Sequence, residues 1–149
     1  MAITWRFTGT AANAIDGAGG IGGGIVPTLG GTTVAGNLKL IAVVQTNGTD
    51  YTTIASAGYT PLYGKNNAVG TTVALLGAIA GDGDADPTVT TTDTTSGRSI
   101  IAQAAVFAGT LDTVTGIIAH SISDENTSAQ TDIDISALAV TTDNTLVVY

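Results

Sequence analysis

Residues Leu38 to Val44 constrain this chain more than any other stretch. Leu38, Leu40, Ala42 and Val44 fall on one alternating face and Ile41 and Val43 on the other, so a strand here needs cover on both sides. The run opens after Gly36-Asn37 and stops at Asn47-Gly48, a dipeptide suited to the positive φ values of a tight turn. A central strand between two layers satisfies this pattern.

The other apolar runs keep the same period of two. Ile3, Trp5 and Phe7 alternate with Thr4, Arg6 and Thr8, as in a half-buried strand. Residues 1–10 therefore read as an N-terminal strand or as an arm docking on a partner through Ile3, Trp5, Arg6 and Phe7. Residues 11–36 read as a long flexible or extended glycine-rich loop, since glycine disfavours helix by about 0.8–1.0 kcal/mol per residue relative to alanine. Within it, Ile25 to Leu29 with Pro27 suggests an edge strand, because proline cannot donate to a ladder.

Further strands are expected at Tyr51–Ala55 and at Thr71–Ala80, and between them Gly58–Tyr63 reads as a rigid aromatic corner around Pro61, closed by a turn at Asn66-Asn67. A threonine-rich, solvent-facing strand is expected at Thr88–Thr95 and a buried one at Ser99–Gly109. Val114–Ser121, Ile133–Ile135 and Leu146–Tyr149 continue the pattern. The total is about nine or ten strands and no convincing helix, which implies an all-β sandwich or barrel. A chain of 149 residues fits a single domain, 1–149, and can bury about 68–70% of its unfolded surface.

Composition narrows the function classes. There is no cysteine, which removes disulfides, thiolate metal sites and cysteine nucleophiles. The net charge is −8, with only Arg6, Lys39, Lys65 and Arg98 as fixed cations. No basic stripe exists to neutralise phosphates, so nucleic acid is not an expected partner. No apolar run approaches the roughly 18 residues of a membrane helix. Met1 to Phe7 also lacks the continuous apolar core of a secretory signal, so use without export is expected.

Several residues invite a chemical reading. Asp82, Asp84 and Asp86 match the first three ligand positions of a calcium loop. Pro87 then stands where that loop needs a glycine, and Asp93 where it needs a bidentate Glu. A solvated acidic turn is the expectation, with a calcium-stabilised surface domain as the sharper alternative. Tyr51, Tyr59 and Tyr63 are candidates for a sugar-stacking platform, against the ordinary role of half-buried packing.

His120 and Ser121 are adjacent, so on a strand they point to opposite faces and cannot form a nucleophile–base pair. Asp132 and Asp134 would sit about 6.6–7 Å apart on one strand face, a glycosidase-like spacing. Their alternation with Ile133 and Ile135 is that of a half-exposed strand. No enzyme activity and no cofactor are expected.

The order of segments carries a resemblance. It runs from Gly36-Asn37-Leu38 through Asn47-Gly48 and Gly58-Tyr59-Thr60-Pro61-Leu62 to Gly81-Asp-Gly-Asp-Ala-Asp-Pro-Thr-Val89. It continues with Ile101-Ala-Gln-Ala-Ala-Val-Phe-Ala-Gly109, Leu111-Asp112 and Ala139-Val-Thr-Thr-Asp143. Over roughly residues 25–149 this resembles the β-sandwich, jelly-roll-like modules of tailed-phage virions, found in capsid decoration (cement) proteins, head fibres and tail-fibre regions. Members carry Trp where this chain has Tyr59 and a basic residue where it has Ala108, so contacts of those two side chains do not carry over.

The resemblance implies an antiparallel jelly-roll-like sandwich and a structural virion protein on the outer capsid surface, assembled in the host cytoplasm. Its implied partner is the major capsid protein, with a trimer as the expected homo-oligomer. A carbohydrate- or receptor-binding module of a tail fibre is the alternative.

Overall fold

The computed structural model describes residues 4–15, 24–48, 50–66, 70–92 and 97–108. These form eight strands, all antiparallel: β1 (Thr4–Thr8), β2 (Ala12–Ile15), β3 (Leu38–Thr46), β4 (Ile54–Ser56), β5 (Thr60–Asn66), β6 (Thr71–Ile79), β7 (Val89–Thr91) and β8 (Ser99–Ala108). The chain is all-β, and β3 is its central strand. The larger sheet has the order β1-β8-β3-β6-β5, with β2 also on β8, and β4 pairs with β7 in a second sheet.

β3 pairs with β6 from Leu38↔Ile79 to Thr46↔Thr71 and with β8 from Leu38↔Phe107 to Gln45↔Ile100. Gly36 before it and Asn47 after it both have positive φ, 84° and 53°, a conformation that glycine and asparagine tolerate best. Asn47 is further fixed by its side-chain amide, which donates to the Gly97 carbonyl at 2.9 Å.

Because ladder partners share a face, parity along β3 sorts the whole sheet. Ile41, Val43, Ala74, Leu76, Ile100, Ala102, Ala104 and Val106 point inward and form one cluster with Ile54 and Val89 of the small sheet and with Ile25 and Leu29. Two layers therefore meet across a single core, the inner layer being the β4–β7 sheet together with the segment before β3. At β8 the alternation is plain: Ile100, Ala102, Ala104 and Val106 are buried, Ile101 and Gln103 exposed.

The glycine-rich region differs from expectation. Ala12–Ile15 is a strand, paired with β8. Residues 24–33 are a packed wall rather than a flexible loop: Leu29, Thr33 and Pro27 are among the most buried side chains. The expected edge strand at Ile25–Leu29 reduces to one bridge, Ile25↔Val89. Pro27 has no N–H, while Thr28 N donates to Thr10 O and Leu29 N to the Asp86 carboxylate, so no ladder can form. Close approach also dictates Gly9, where a Cβ would lie 1.5 Å from the Thr28 carbonyl oxygen.

Two further expectations are corrected. Tyr51–Thr53 is a 3-10 turn and only Ile54–Ser56 a strand. The cause is Asp50, whose carboxylate accepts from Thr52 N at 2.9 Å and whose carbonyl accepts from Thr53 Oγ1 at 2.7 Å. The Thr88–Thr95 strand shortens to Val89–Thr91 among the described residues and is not wholly solvent-facing, because Val89 lies in the core. The strands expected at Val114–Ser121, Ile133–Ile135 and Leu146–Tyr149 lie outside the described residues.

Leu76→Ala removes a side chain 1% exposed and is expected to cost about 2–5 kcal/mol in urea unfolding. Ala42→Ser, on the exposed side of β3, is expected to stay within about 0.5 kcal/mol.

Candidate functional site

The acidic turn after β6 is a latch built from three diverging carboxylates. Asp82 Oδ1 accepts from Ala35 N at 2.8 Å and Asp86 Oδ1 from Leu29 N at 2.7 Å. Asp84 Oδ2 accepts from Gly81 N at 2.9 Å and from the Lys39 ammonium at 2.6 Å. Thr33 completes the knot, its hydroxyl donating to Gly81 O and accepting from Asp84 N. The three carboxylates are directed at donors on separate parts of the chain. Among the described residues no group of three or more His, Cys, Asp or Glu is placed to hold a metal ion.

Lys39 explains the latch. It shares the inward face of β3 with Ile41 and Val43 and is buried, so its charge needs a partner. Asp84 supplies one. The Tyr59 ring supplies a second, with Lys39 Nζ 5.0 Å from its centroid. The hydrogen bond from Lys39 holds the Asp84 carboxyl below the usual carboxylate range, against the opposing effect of burial. Tyr59 packs against the core, and its buried hydroxyl finds no hydrogen-bond partner among the described residues. Burial, followed by the charges of Asp84 and Asp86, pushes its pKa up to about 12.

The three tyrosines do not share one open platform. Tyr59 turns into the core, and the Tyr51 ring covers Gly64, where a Cβ would lie 2.0 Å from Tyr51 Cδ2. Gly64 pairs with inward-facing Ala74, whereas Tyr63 pairs with Leu75 on the opposite face.

Residues 4–8 are the edge strand β1, paired with β8 across a bulge between Trp5 and Phe7. Phe7 packs against the core, and Arg6 donates to the Asn37 side chain at 3.1 Å. Of the described trio Trp5, 65% exposed, and Arg6 stand in solvent, and Phe7 is half-buried. Ile3 lies outside the described residues, as do His120, Ser121, Asp132 and Asp134.

Trp5 belongs to a larger feature, the outward face of the main sheet. By register this face holds Trp5, Phe107, Leu38, Ile79, Leu40, Ala42, Leu75, Val44, Val73, Ile101 and Ile15. Four of the six large hydrophobic side chains exposed among the described residues, Trp5, Ile15, Val44 and Ile101, stand there. No Asp or Glu of the described strands lies on it; register places Lys65 on it, paired with Val73 at the β5 edge, and the exposed Arg6 stands in the bulge beside Trp5 at the opposite edge.

Both sheet edges are guarded against strand addition. β5 carries Pro61, a register shift and Lys65; the opposite edge carries Arg6, the β1 bulge and the break at Gly9. The face rather than the edge is thus the open apolar surface. Comparison with protein-family models, curated proteins and solved structures finds no match.

Of this geometry, the sequence reading missed the role of Lys39. Its parity with Ile41 and Val43 was the available signal, since a cation on the apolar side of a central strand demands a carboxylate.

A more acidic Asp84 in the folded chain contributes stability that is present above the ordinary value of 3.8 and is lost as pH falls through its depressed value. Thermal melts from pH 6 to pH 2 should therefore show the wild type losing more stability than Asp84→Asn. Tyr59 has the opposite sign: its contribution is full below its ordinary value of 10.0 and is lost as pH rises through about 12. Tyr59→Phe should be close to neutral at pH 7 and should melt less steeply with pH above 10.

Proposed function

We propose that this chain is a structural protein of a tailed-phage particle, a head decoration protein that binds the outside of the capsid lattice. The observation that carries this reading is the outward sheet face, apolar and free of carboxylates among the described residues, in a chain of net charge −8. Contiguous exposed apolar surface marks protein–protein contact. The order of segments from Gly36-Asn37 to Asp143, which resembles phage virion modules, supplies the kind of partner: the major capsid protein, with three copies around a threefold lattice point as the expected oligomer. In this reading the protein bridges neighbouring capsid subunits and opposes internal pressure by buried contact area, and it is assembled in the host cytoplasm without catalysing a reaction.

The latch supports the same reading. Asp82, Asp84, Asp86, Lys39 and Tyr59 all serve internal contacts, which stiffen the side of the sheet opposite the outward face. The tail-fibre glycan reading gains no comparable support from Tyr51, Tyr59 and Tyr63, whose rings are divided between the two faces of the sheet.

The test uses purified heads lacking this chain, with occupancy read by electron microscopy. Trp5→Ala and Ile101→Asp should each lower affinity roughly 10-fold or more while melting within a few degrees of the wild type. Unchanged occupancy in both would overturn the assignment. Removing residues 1–10 is a poorer probe, because it deletes β1 and takes Phe7 from the core.

A further inference from the structure

The dipeptide that ends β3 is dictated by the fold and is also chemically labile. Asn47 has a φ of 53°, which asparagine tolerates better than most residues. At Gly48 a Cβ would lie 2.6 Å from Gln45 Nε2 and 2.7 Å from Thr72 Oγ1, and both of those side chains are buried, so only glycine fits. Asn47-Gly48 is the one Asn-Gly pair in the sequence. With no Cβ on the following residue, little hinders its backbone nitrogen from reaching the carbonyl carbon of the asparagine side chain.

The reaction open to such a pair is deamidation. Gly48 N gives up its proton to base and attacks Asn47 Cγ; the new C–N bond closes a succinimide ring while the Cγ–Nδ2 bond breaks and ammonia leaves. Water then adds to one of the two ring carbonyls and reopens the ring. The product is aspartate at position 47 or isoaspartate, in which the main chain runs through Cγ. No electrons are exchanged, and solvent supplies the only co-reactant.

The folded turn opposes both halves of the first step. Gly48 is buried and its N–H donates to Gly70 O at 3.1 Å, so the proton that base must remove is already engaged. Asn47 is exposed, but its Nδ2 donates to Gly97 O at 2.9 Å, so the leaving nitrogen is held too. The two acceptors belong to opposite neighbours of β3: Gly70 leads into β6, where Thr71 pairs with Thr46, and Gly97 leads into β8. On the β8 side Thr46 Oγ1 also accepts from Ser99 N at 3.0 Å and lies 2.8 Å from Ser99 Oγ. Nucleophile and electrophile are thus tied to different strands, and ring closure requires breaking those ties.

We propose that Asn47 is a deamidation site gated by the fold: unreactive while the turn is closed, and converted irreversibly in chains whose β3 end has opened. Either product lacks the Nδ2 donor to Gly97 O, and isoaspartate also adds a backbone carbon just beyond the Thr46↔Thr71 pair. A converted chain therefore does not re-form the same turn.

The test incubates the full chain at mildly alkaline pH, folded in buffer or unfolded in urea, and follows the digested fragment holding Asn47 by mass spectrometry. Chemistry confined to an opened state tracks the population of that state, so conversion at Asn47 should be at least about 10-fold slower in the folded chain. With added urea below the unfolding transition, it should rise in step with hydrogen exchange at the Gly48 amide. Chains converted in urea and returned to buffer should melt several degrees below unconverted chains taken through the same steps. Equal rates in buffer and urea, or no conversion at Asn47 in urea, would overturn the proposal. Converted chains that melt like unconverted ones would also overturn it.

Discussion

A lysine on the buried face of a central strand has to be neutralised where it stands, and much of this fold follows from that requirement. Lys39 cannot reach water without leaving the face it shares with Ile41 and Val43, so a carboxylate is brought to it. Asp84 comes from the turn directly after β6, the neighbour of β3, so the partner arrives from close by in space. Once Asp84 is fixed, Asp82 and Asp86 on either side fall against the backbone N–H groups of Ala35 and Leu29. The ion pair thus orders a glycine-rich segment with little propensity of its own. The pair is partly buried and hydrogen-bonded on both sides, the condition under which breaking it by removing one partner is costly.

This also explains why the segment before β3 is a wall without being a strand. Its backbone donors are satisfied one at a time, by a carbonyl at Thr28, by carboxylates at Leu29 and Ala35, and by the isolated bridge at Ile25. Irregular backbone is stable in a buried position when each polar group is individually answered. Glycine at 9 lets Thr28 approach the β1–β2 edge, and Gly24 and Gly30 adopt positive φ at either end of the buried stretch.

The strands were legible in sequence because period-two burial is written directly into side-chain order. β3, β6 and β8 could be read from Leu38–Val44, Thr71–Ala80 and Ser99–Gly109, the last despite an apolar pattern also compatible with a helix. What was not legible depended on pairings distant in the chain. Pro87 and Asp93 count locally against a cation loop at Asp82, Asp84 and Asp86, but nothing local separates a solvated acidic turn from a latch, since that difference lies in donors at positions 29, 35 and 39. Tyr59 likewise reads as a half-buried packing residue or a sugar-platform candidate, and only the fold shows that it turns under Lys39. The candidate interface was half legible: Trp5 was singled out, but its companions Ile15, Val44 and Ile101 come from three other strands and meet only through register.

Register also separates the two faces by chemistry. The inward face tolerates charge because the latch answers it, so Lys39 sits there at no cost to shape. The outward face has no such device and, among the described strands, carries Lys65 at one margin, with Arg6 in the β1 bulge at the other. A surface lacking buried polar networks adapts to an apolar neighbour without leaving unsatisfied groups behind. With both edges guarded by Pro61, Lys65, Arg6 and bulges, association by strand addition is disfavoured. Contact through the face is then the route left to a sheet of this construction.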